Sequence, residues 1–318
     1  MNKSETPFTR TIIVPIYKSE EHIPQLFKYF QQISDSVGDV EIVFVIDGTP
    51  DDSEMSICIE AKKYDFKTKI IRLSRNFGVG PALHAGLSQI DTSSVVIVGS
   101  DRQEPFEFYI ECFRRLEGAQ VDVCIGSRIS RDDPFLQSTM SKIFWTFYRK
   151  MADKDMPKGG IDGVGMSIKA YHALRQLPEL NTNFMFQLQW LGFRRVYIPF
   201  ARVKRESGKS SWTFRRRIKL AVDSIFGFSH LPIQVLAILR NIGIALAIVA
   251  LLFSAINPGL SAGDSRLGSF VNLIGPIIGA LVLLGLGVVG NYVIRIYDNS
   301  KMRPKWIIDE IYTLDERK

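Results

Sequence analysis

The stretch SVVIVGSDRQEP, residues 94–105, decides the fold class: a short run of β-branched residues breaks abruptly into a polar turn closed by proline. So short a run, rich in Val and Ile and bounded by Gly and Pro, predicts a strand buried on both faces. Runs of the same character recur at 11–15, 40–46, 69–73 and 121–125. Amphipathic stretches of helical length separate them at 20–33, 80–89 and 106–116. Strands alternating with helices predict an α/β domain whose sheet is mainly parallel.

Ligands of such sheets bind outside the carboxyl ends of the strands. The first run ends in Pro15-Ile16-Tyr17-Lys18-Ser19-Glu20, the second in Asp47-Gly48-Thr49, and the third leads into Ser74-Arg75-Asn76-Phe77-Gly78. The fourth ends in Asp101-Arg102-Gln103-Glu104, the fifth in Ser127-Arg128. Carboxylates, an amide and arginines therefore converge on one edge. That mixture suits an anionic ligand held through a hard divalent cation, Mg²⁺ or Mn²⁺, with arginines neutralising phosphate charge. Neither G-x-G-x-x-G after the first strand nor G-x-x-x-x-G-K-[ST] occurs, which leaves a metal-bridged pyrophosphate rather than a glycine-loop phosphate site.

Working outward, the C-terminal third is of a different composition. Residues 270–294 carry no charge, and 231–256 carry only Arg240. A bilayer core of about 30 Å needs roughly 20 helical residues, so spans are expected at about 235–256 and 270–294, Arg240 snorkelling at one end. Arg202, Lys204, Arg205, Lys209, Arg215, Arg216, Arg217 and Lys219 precede the pair, and Arg295, Lys301, Arg303 and Lys305 follow it. The connecting loop has only Asp264 and Arg266. The positive-inside rule then places both termini and the α/β domain in the cytoplasm of a multi-pass inner-membrane protein. The polar start MNKSETPFTR does not resemble a signal peptide. Cations mixed with Phe214, Ile218, Leu220 and Ile225 suit a helix lying on the bilayer over 211–230. The expected organisation is thus a domain over 1–210, a basic surface helix over 211–230, spans within 231–297 and a cytosolic tail over 298–318.

With 318 residues, 46% hydrophobic, the chain is neither disordered nor collagenous. Three cysteines and four scattered histidines give no disulfide framework and no zinc motif. The net charge of +7 sits beside the spans, which favours lipid phosphates over nucleic acid as its partner.

At these residues the chain resembles the family 2 glycosyltransferases with the GT-A nucleotide-sugar-binding fold. It is most similar to the polyprenyl-phosphate group, that of dolichol-phosphate mannose synthase and bacterial undecaprenyl-phosphate sugar transferases. The resemblance rests on I-V-P-x-Y-x-x-E-x-x-I (13–23), S-R-N-F-G (74–78), D-x-Q-E-P (101–105) and S-R-x-S-R-D-D-P (127–134). It continues through R-x-S-G-K-S-S-W (205–212) and R-I-Y-D-x-x-K-x-R-P (295–304), so that it covers nearly the whole chain. It implies a nucleotide-sugar pocket of Pro15, Tyr17, Glu20, Asp47, Asn76 and Asp101, and a metal on Asp101 and Gln103. It also implies acceptor-phosphate contacts from Arg128, Arg131 and Lys209, with Arg205 over the site and Asp162 orienting the sugar or a cation ligand.

Two positions depart from the family pattern. Gly99 stands where the first acid of D-x-D is usual, and Ile46 precedes Asp47 where two adjacent aspartates are usual. Residues 187–190, QLQW, are similar to the Q-x-x-R-W of processive synthases but lack the arginine, and two spans are too few for a polymer channel. The expected reaction moves a sugar from a nucleotide sugar to polyprenyl phosphate, whose oxygen is already anionic near neutral pH (second pKa about 6) and needs no general base. A hydroxyl acceptor, which would make Asp162 an essential base, and a non-catalytic sugar-nucleotide-binding role are the alternatives. Gly275, Gly279, Gly285 and Gly287 would permit close helix contacts in a homo-oligomer.

Overall fold

The computed structural model describes residues 8–129, 161–177, 184–203, 226–227, 231–256 and 265–314. The chain forms two compact units, one of residues 1–216 with 304–318 and the other of the intervening 217–303.

In the first unit, β1 (Arg10–Ile16), β2 (Glu41–Ile46), β3 (Lys67–Leu73) and β4 (Ser94–Ile97) are the predicted parallel strands. The fifth, β5 (Val123–Arg128), is joined by β6 (Ile161–Ser167), β7 (Arg195–Phe200) and β8 (Ile308–Leu314) in a sheet of order β7-β5-β6-β4-β1-β2-β3-β8. β6 runs antiparallel to both β4 and β5, and β8 antiparallel to β3, while β7 is parallel to β5. The sheet is therefore mainly parallel, as expected.

Helices α1 (Ile23–Val37), α2 (Ser53–Ala61) and α4 (Phe106–Glu117) pack together, whereas α3 (Val79–Ser88) packs on β1 and β2 and against α5 (Ile168–Arg175). The apolar stripe of α1, at Ile23, Leu26, Phe27, Phe30 and Ile33, recurs at helical spacing and is wholly buried. It meets an aromatic cluster in which Phe27 lies 5.6 Å from Phe44 and 5.4 Å from Tyr64 between ring centroids. Truncating Phe27 or Phe44 to Ala would cost about 3–5 kcal/mol at such buried sites.

The expectation of a tail over 298–318 is corrected. Ile308–Leu314 alternates so that Ile308, Tyr312 and Leu314 turn inward, Tyr312 and Leu314 against the core, and it completes the sheet as its edge strand. Arg72 of β3 holds it through ion pairs to Asp309 (2.9 Å) and Glu310, and also reaches Glu54 at 3.1 Å. The segment before β8 is anchored too. Trp306 stacks on His84 of α3 with centroids 6.1 Å apart, and Lys305 donates to the Leu177 carbonyl. His84 shares a 2.9 Å hydrogen bond with Gln187 of α6 (Phe184–Trp190), so the QLQW stretch serves the core. Burial, helped by the Lys305 charge, lowers the His84 pKa to about 4 against the opposing Gln187 bond, and the ring is neutral at physiological pH.

The second unit contains α7 (Leu231–Ile256) and α8 (Ser265–Ser300), both long and apolar enough to cross a membrane. Their apolar side chains are exposed rather than buried as in a core helix: Ile244 is 52%, Leu252 57% and Leu283 70% exposed. Gly285 lets α7 approach, its Cβ position lying 3.7 Å from Leu236. Apart from 226–227, the surface helix expected over 211–230 lies outside the described residues.

Candidate active site

Hydrogen bonds, most of them from the backbone to a side chain, tie the strand-end loops of the first four strands into one frame. Asp47, 3% exposed, accepts from the Phe77 N–H at Oδ1 (2.7 Å) and the Gly78 N–H at Oδ2 (2.8 Å). Burial raises its pKa, opposed by these two bonds and by Arg75. The Asn76 side-chain amide donates to the Asp47 carbonyl at 3.1 Å. Gly48 is indispensable at this crossing: its φ is +55°, and a Cβ there would sit 2.3 Å from the Asn76 nitrogen.

The loop after β1 docks on the loop after β2. Lys18 N–H donates to Thr49 Oγ1 at 2.8 Å, Ser19 N–H to Ser53 Oγ at 3.1 Å and Glu20 N–H to Asp51 Oδ2 at 3.2 Å. Glu20 in turn accepts from the Asp52 N–H at 3.3 Å, and Ser19 Oγ donates to Ser100 Oγ at 2.9 Å, reaching the loop after β4. Burial would raise the Asp51 pKa, but the hydroxyls of Thr49 and Ser53 and nearby N–H groups outweigh it and hold it below the usual range. Pro15 is half-buried in β1, while Tyr17 is 46% exposed with the Lys18 ammonium 5.6 Å from its ring centroid.

Charge gathers at the other half of the edge. Asp162 of β6 is ion-paired with Arg128 of β5. The bare α-carbon of Gly99 faces two acids: a Cβ there would lie 3.0 Å from Asp101 Oδ1 and 3.9 Å from Glu104 Oε2. Glu104 is 9% exposed, takes a 3.3 Å hydrogen bond from the Tyr109 hydroxyl, and receives Tyr29 OH at its carbonyl (2.7 Å). Burial, then the charges of Asp162 and Asp101, push its carboxyl up to about 7, with Arg202 opposing. A cavity of about 370 Å³ opens here, lined by Tyr29, Asp101, Glu104, Phe106, Glu107 and Val203 among others.

This donor set suits a hard divalent cation. Two acid oxygens face Gly99, and Gln103 Oε1 is buried with no hydrogen-bond partner. Among the described residues no three His, Cys, Asp or Glu side chains complete a metal site, so a cation held by Asp101 and Gln103 requires further oxygens. A bound diphosphate supplies such oxygens.

The fold thus brings Asp101, Gln103, Arg128 and Asp162 to one half of the edge, and Pro15, Tyr17, Glu20, Asp47 and Asn76 to the other. Arg131, Arg205 and Lys209 lie outside the described residues. Glu104, which the sequence places beside Gln103 at the end of the fourth run, belongs to the cluster. Sequence reasoning missed one participant. Arg202, just past β7, counts in sequence only as a membrane-proximal charge, yet burial and then the charge of Arg128 lower its pKa, with Asp162, Asp101 and Glu104 opposing.

The chain matches the model of the family described as "Glycosyl transferase family 2" over residues 11–191. It is 30% identical over 304 residues to the "Bactoprenol glucosyl transferase" of Shigella phage SfV, covering 94% of this chain and 97% of the relative. It is 28% identical to the "Prophage bactoprenol glucosyl transferase homolog" of Escherichia coli (strain K12), covering 95% of this chain and 98% of that one. Among solved structures, glucosyl-3-phosphoglycerate synthase from Mycobacterium tuberculosis, in complex with Mn²⁺, UDP-glucose and phosphoglyceric acid, aligns with a TM-score of 0.49 at 14% identity. That alignment covers 69% of this chain and 78% of the synthase.

Proposed function

Since the chain belongs to glycosyl transferase family 2, we propose that it moves a sugar from a nucleotide sugar, a UDP-sugar in the first instance, to polyprenyl phosphate at a membrane surface. The observation that carries this reading is the meeting of Asp101, Glu104 and Asp162 with Arg128 and Arg202 at the carboxyl edge of the sheet. A transfer between two phosphate-bearing molecules needs both signs of charge there, one to hold a cation and one to hold phosphate directly. The bactoprenol transferases named above, similar over almost their full length, support a polyprenyl acceptor.

In this reading Asp101 and Gln103 hold Mg²⁺ or Mn²⁺, whose chemistry is to neutralise the departing nucleoside diphosphate. The frame around Asp47 and Gly48 fixes the loop of residues 74–78 for the nucleotide, and Tyr17 offers an exposed ring at the end of β1. Arg128 contacts the acceptor phosphate. Asp162, engaged with Arg128, orients rather than deprotonates, and a phosphate acceptor needs no base. The hydroxyl-acceptor alternative requires Asp162 as a free base, which the ion pair opposes. The helices α7 and α8 anchor the enzyme where a polyprenyl chain keeps its phosphate, on the cytosolic face, and Arg131, Arg205 and Lys209 add positive charge toward the acceptor phosphate.

The test is transfer of radiolabel from a panel of UDP- and GDP-sugars into an organic-extractable product, using full-length protein, undecaprenyl phosphate and Mg²⁺ or Mn²⁺. Label from one donor in the lipid is the expected outcome. Folded protein that labels no lipid with any donor would overturn the reading.

A further inference from the structure

The loop of residues 74–78, read above as part of the nucleotide pocket, is gripped at both ends by one short stretch, Lys305-Trp306-Ile307. At its start the Ser74 N–H donates to the Ile307 carbonyl at 3.0 Å. That bond extends the β3–β8 pairing beyond its last register pair, Leu73 with Ile308. At its other end the loop runs directly into α3, which begins at Val79 after the Gly78 cap. Trp306 lies against that helix, its ring within 9° of parallel to His84 at 6.1 Å between centroids.

The surface that receives Trp306 is rigid. His84 is 5% exposed, bonded to Gln187 at 2.9 Å and in a T-shaped contact with Phe184 at 5.6 Å. Lys305, donating to the Leu177 carbonyl, fixes the same stretch one residue earlier. Trp306 itself is half-buried, and among the described residues its ring partner is His84. Between the two grips, the Phe77 and Gly78 N–H groups and the Asn76 amide hold the loop to Asp47, and the Arg75 guanidinium lies 4.0 Å from the Phe77 ring centroid. Asp47 thus fixes the middle of the loop to β2, while Trp306 and Ile307 fix how the chain enters and leaves it.

We propose that Trp306 is a positioning residue for the nucleotide loop: with the Ile307 carbonyl it clasps both ends of residues 74–78 and keeps them in the shape that receives the nucleotide part of the donor. The pocket is thereby completed by residues that follow the spans in sequence. Loosening the clasp lowers the fraction of molecules with a competent loop, and donor affinity falls with that fraction while the chemical step is spared. This inference rests on the nucleotide reading of residues 74–78.

Calorimetry with UDP and Mn²⁺ on the full-length protein in detergent tests it, together with hydrogen exchange of the 74–78 amides. Trp306→Ala should bind UDP about three- to tenfold more weakly, the scale of one lost aromatic pair. It should raise the donor KM to the same degree, leave kcat and the acceptor KM little changed, and speed exchange at Phe77 and Gly78. Trp306→Phe, which keeps a stacking face, should recover most of the affinity. Trp306→Leu, which keeps apolar bulk without that face, carries the expectation of the alanine variant should the latter fail to fold. Unchanged UDP affinity or unchanged exchange in the folded variant, or a loss as large in Trp306→Phe, overturns the inference alone. Wild type that binds no UDP, or whose 74–78 amides exchange no more slowly with UDP and Mn²⁺ bound, overturns the nucleotide reading of the loop and the inference with it.

Discussion

Arg128 and Asp162 form an ion pair between neighbouring antiparallel strands, just past the point where the β5–β6 register shifts between Ile125 and Gly126. Such irregularities in a ladder are common beside functional sites. Each group is about one-fifth exposed, so neither is fully screened by water.

Because the pair occupies the Asp162 carboxylate, Asp162→Asn should slow transfer by roughly tenfold or more, chiefly by leaving Arg128 without its counter-charge. The pH dependence of kcat/KM should keep its acidic limb. Loss of that limb in the variant would make Asp162 a general base and point to a hydroxyl acceptor.

Gly48→Ala should damage the nucleotide side selectively. A methyl group cannot fit 2.3 Å from the Asn76 nitrogen at a positive φ, so the loop over 74–78 must move. A rise in the donor KM with little change in the acceptor KM is expected, together with a lower Tm; a cost of about 1–3 kcal/mol is usual for such backbone strain. Unchanged donor KM would separate this loop from the nucleotide.

Glu104 gives a pH signature to stability. Its carboxyl lies at about 7 in the fold against 4.5 when unperturbed, so the native state holds a proton that the unfolded chain releases between those values. That stabilisation is complete below pH 4.5 and is lost as pH rises through 7, about 3 kcal/mol at most. Thermal unfolding in EDTA should therefore show Tm falling over this window, and Glu104→Gln should flatten the fall. Parallel curves for the two proteins would contradict the assignment.

Removing β8 by ending the chain after residue 307 should expose the edge of β3 and free Arg72 from Asp309 and Glu310. Unpaired strand edges are templates for association. Lower Tm and aggregation on mild heating are expected, while a monodisperse protein of unchanged Tm would reduce β8 to an appendage.

The sequence made some of this plain and hid the rest for physical reasons. β1 to β5 are continuous β-branched runs, and their carboxyl ends carry the polar residues that meet in space, so the class of fold and Asp101, Gln103 and Arg128 were legible. β6 was not legible as a strand, because Ile161-Asp162-Gly163-Val164-Gly165 has glycines where a buried strand usually shows bulk. Cys112 explains one of them: a Cβ on Gly165 would lie 2.9 Å from its Cβ. β8 was hidden because it follows the spans, more than 200 residues from the β3 strand it pairs with. Arg202 owes its place to the pairing of β7 with β5 and to the Val203–Gln103 backbone bond, which no local spacing records.

The most direct measurement compares undecaprenyl phosphate with undecaprenol as acceptors of labelled sugar, for wild type and Asp101→Asn. Label in the phosphate-bearing lipid alone, dependent on a divalent cation and lost by most of its amount in Asp101→Asn, is the expected result. Equal labelling of the alcohol, or undiminished turnover by Asp101→Asn, would contradict a transfer to lipid phosphate centred on Asp101.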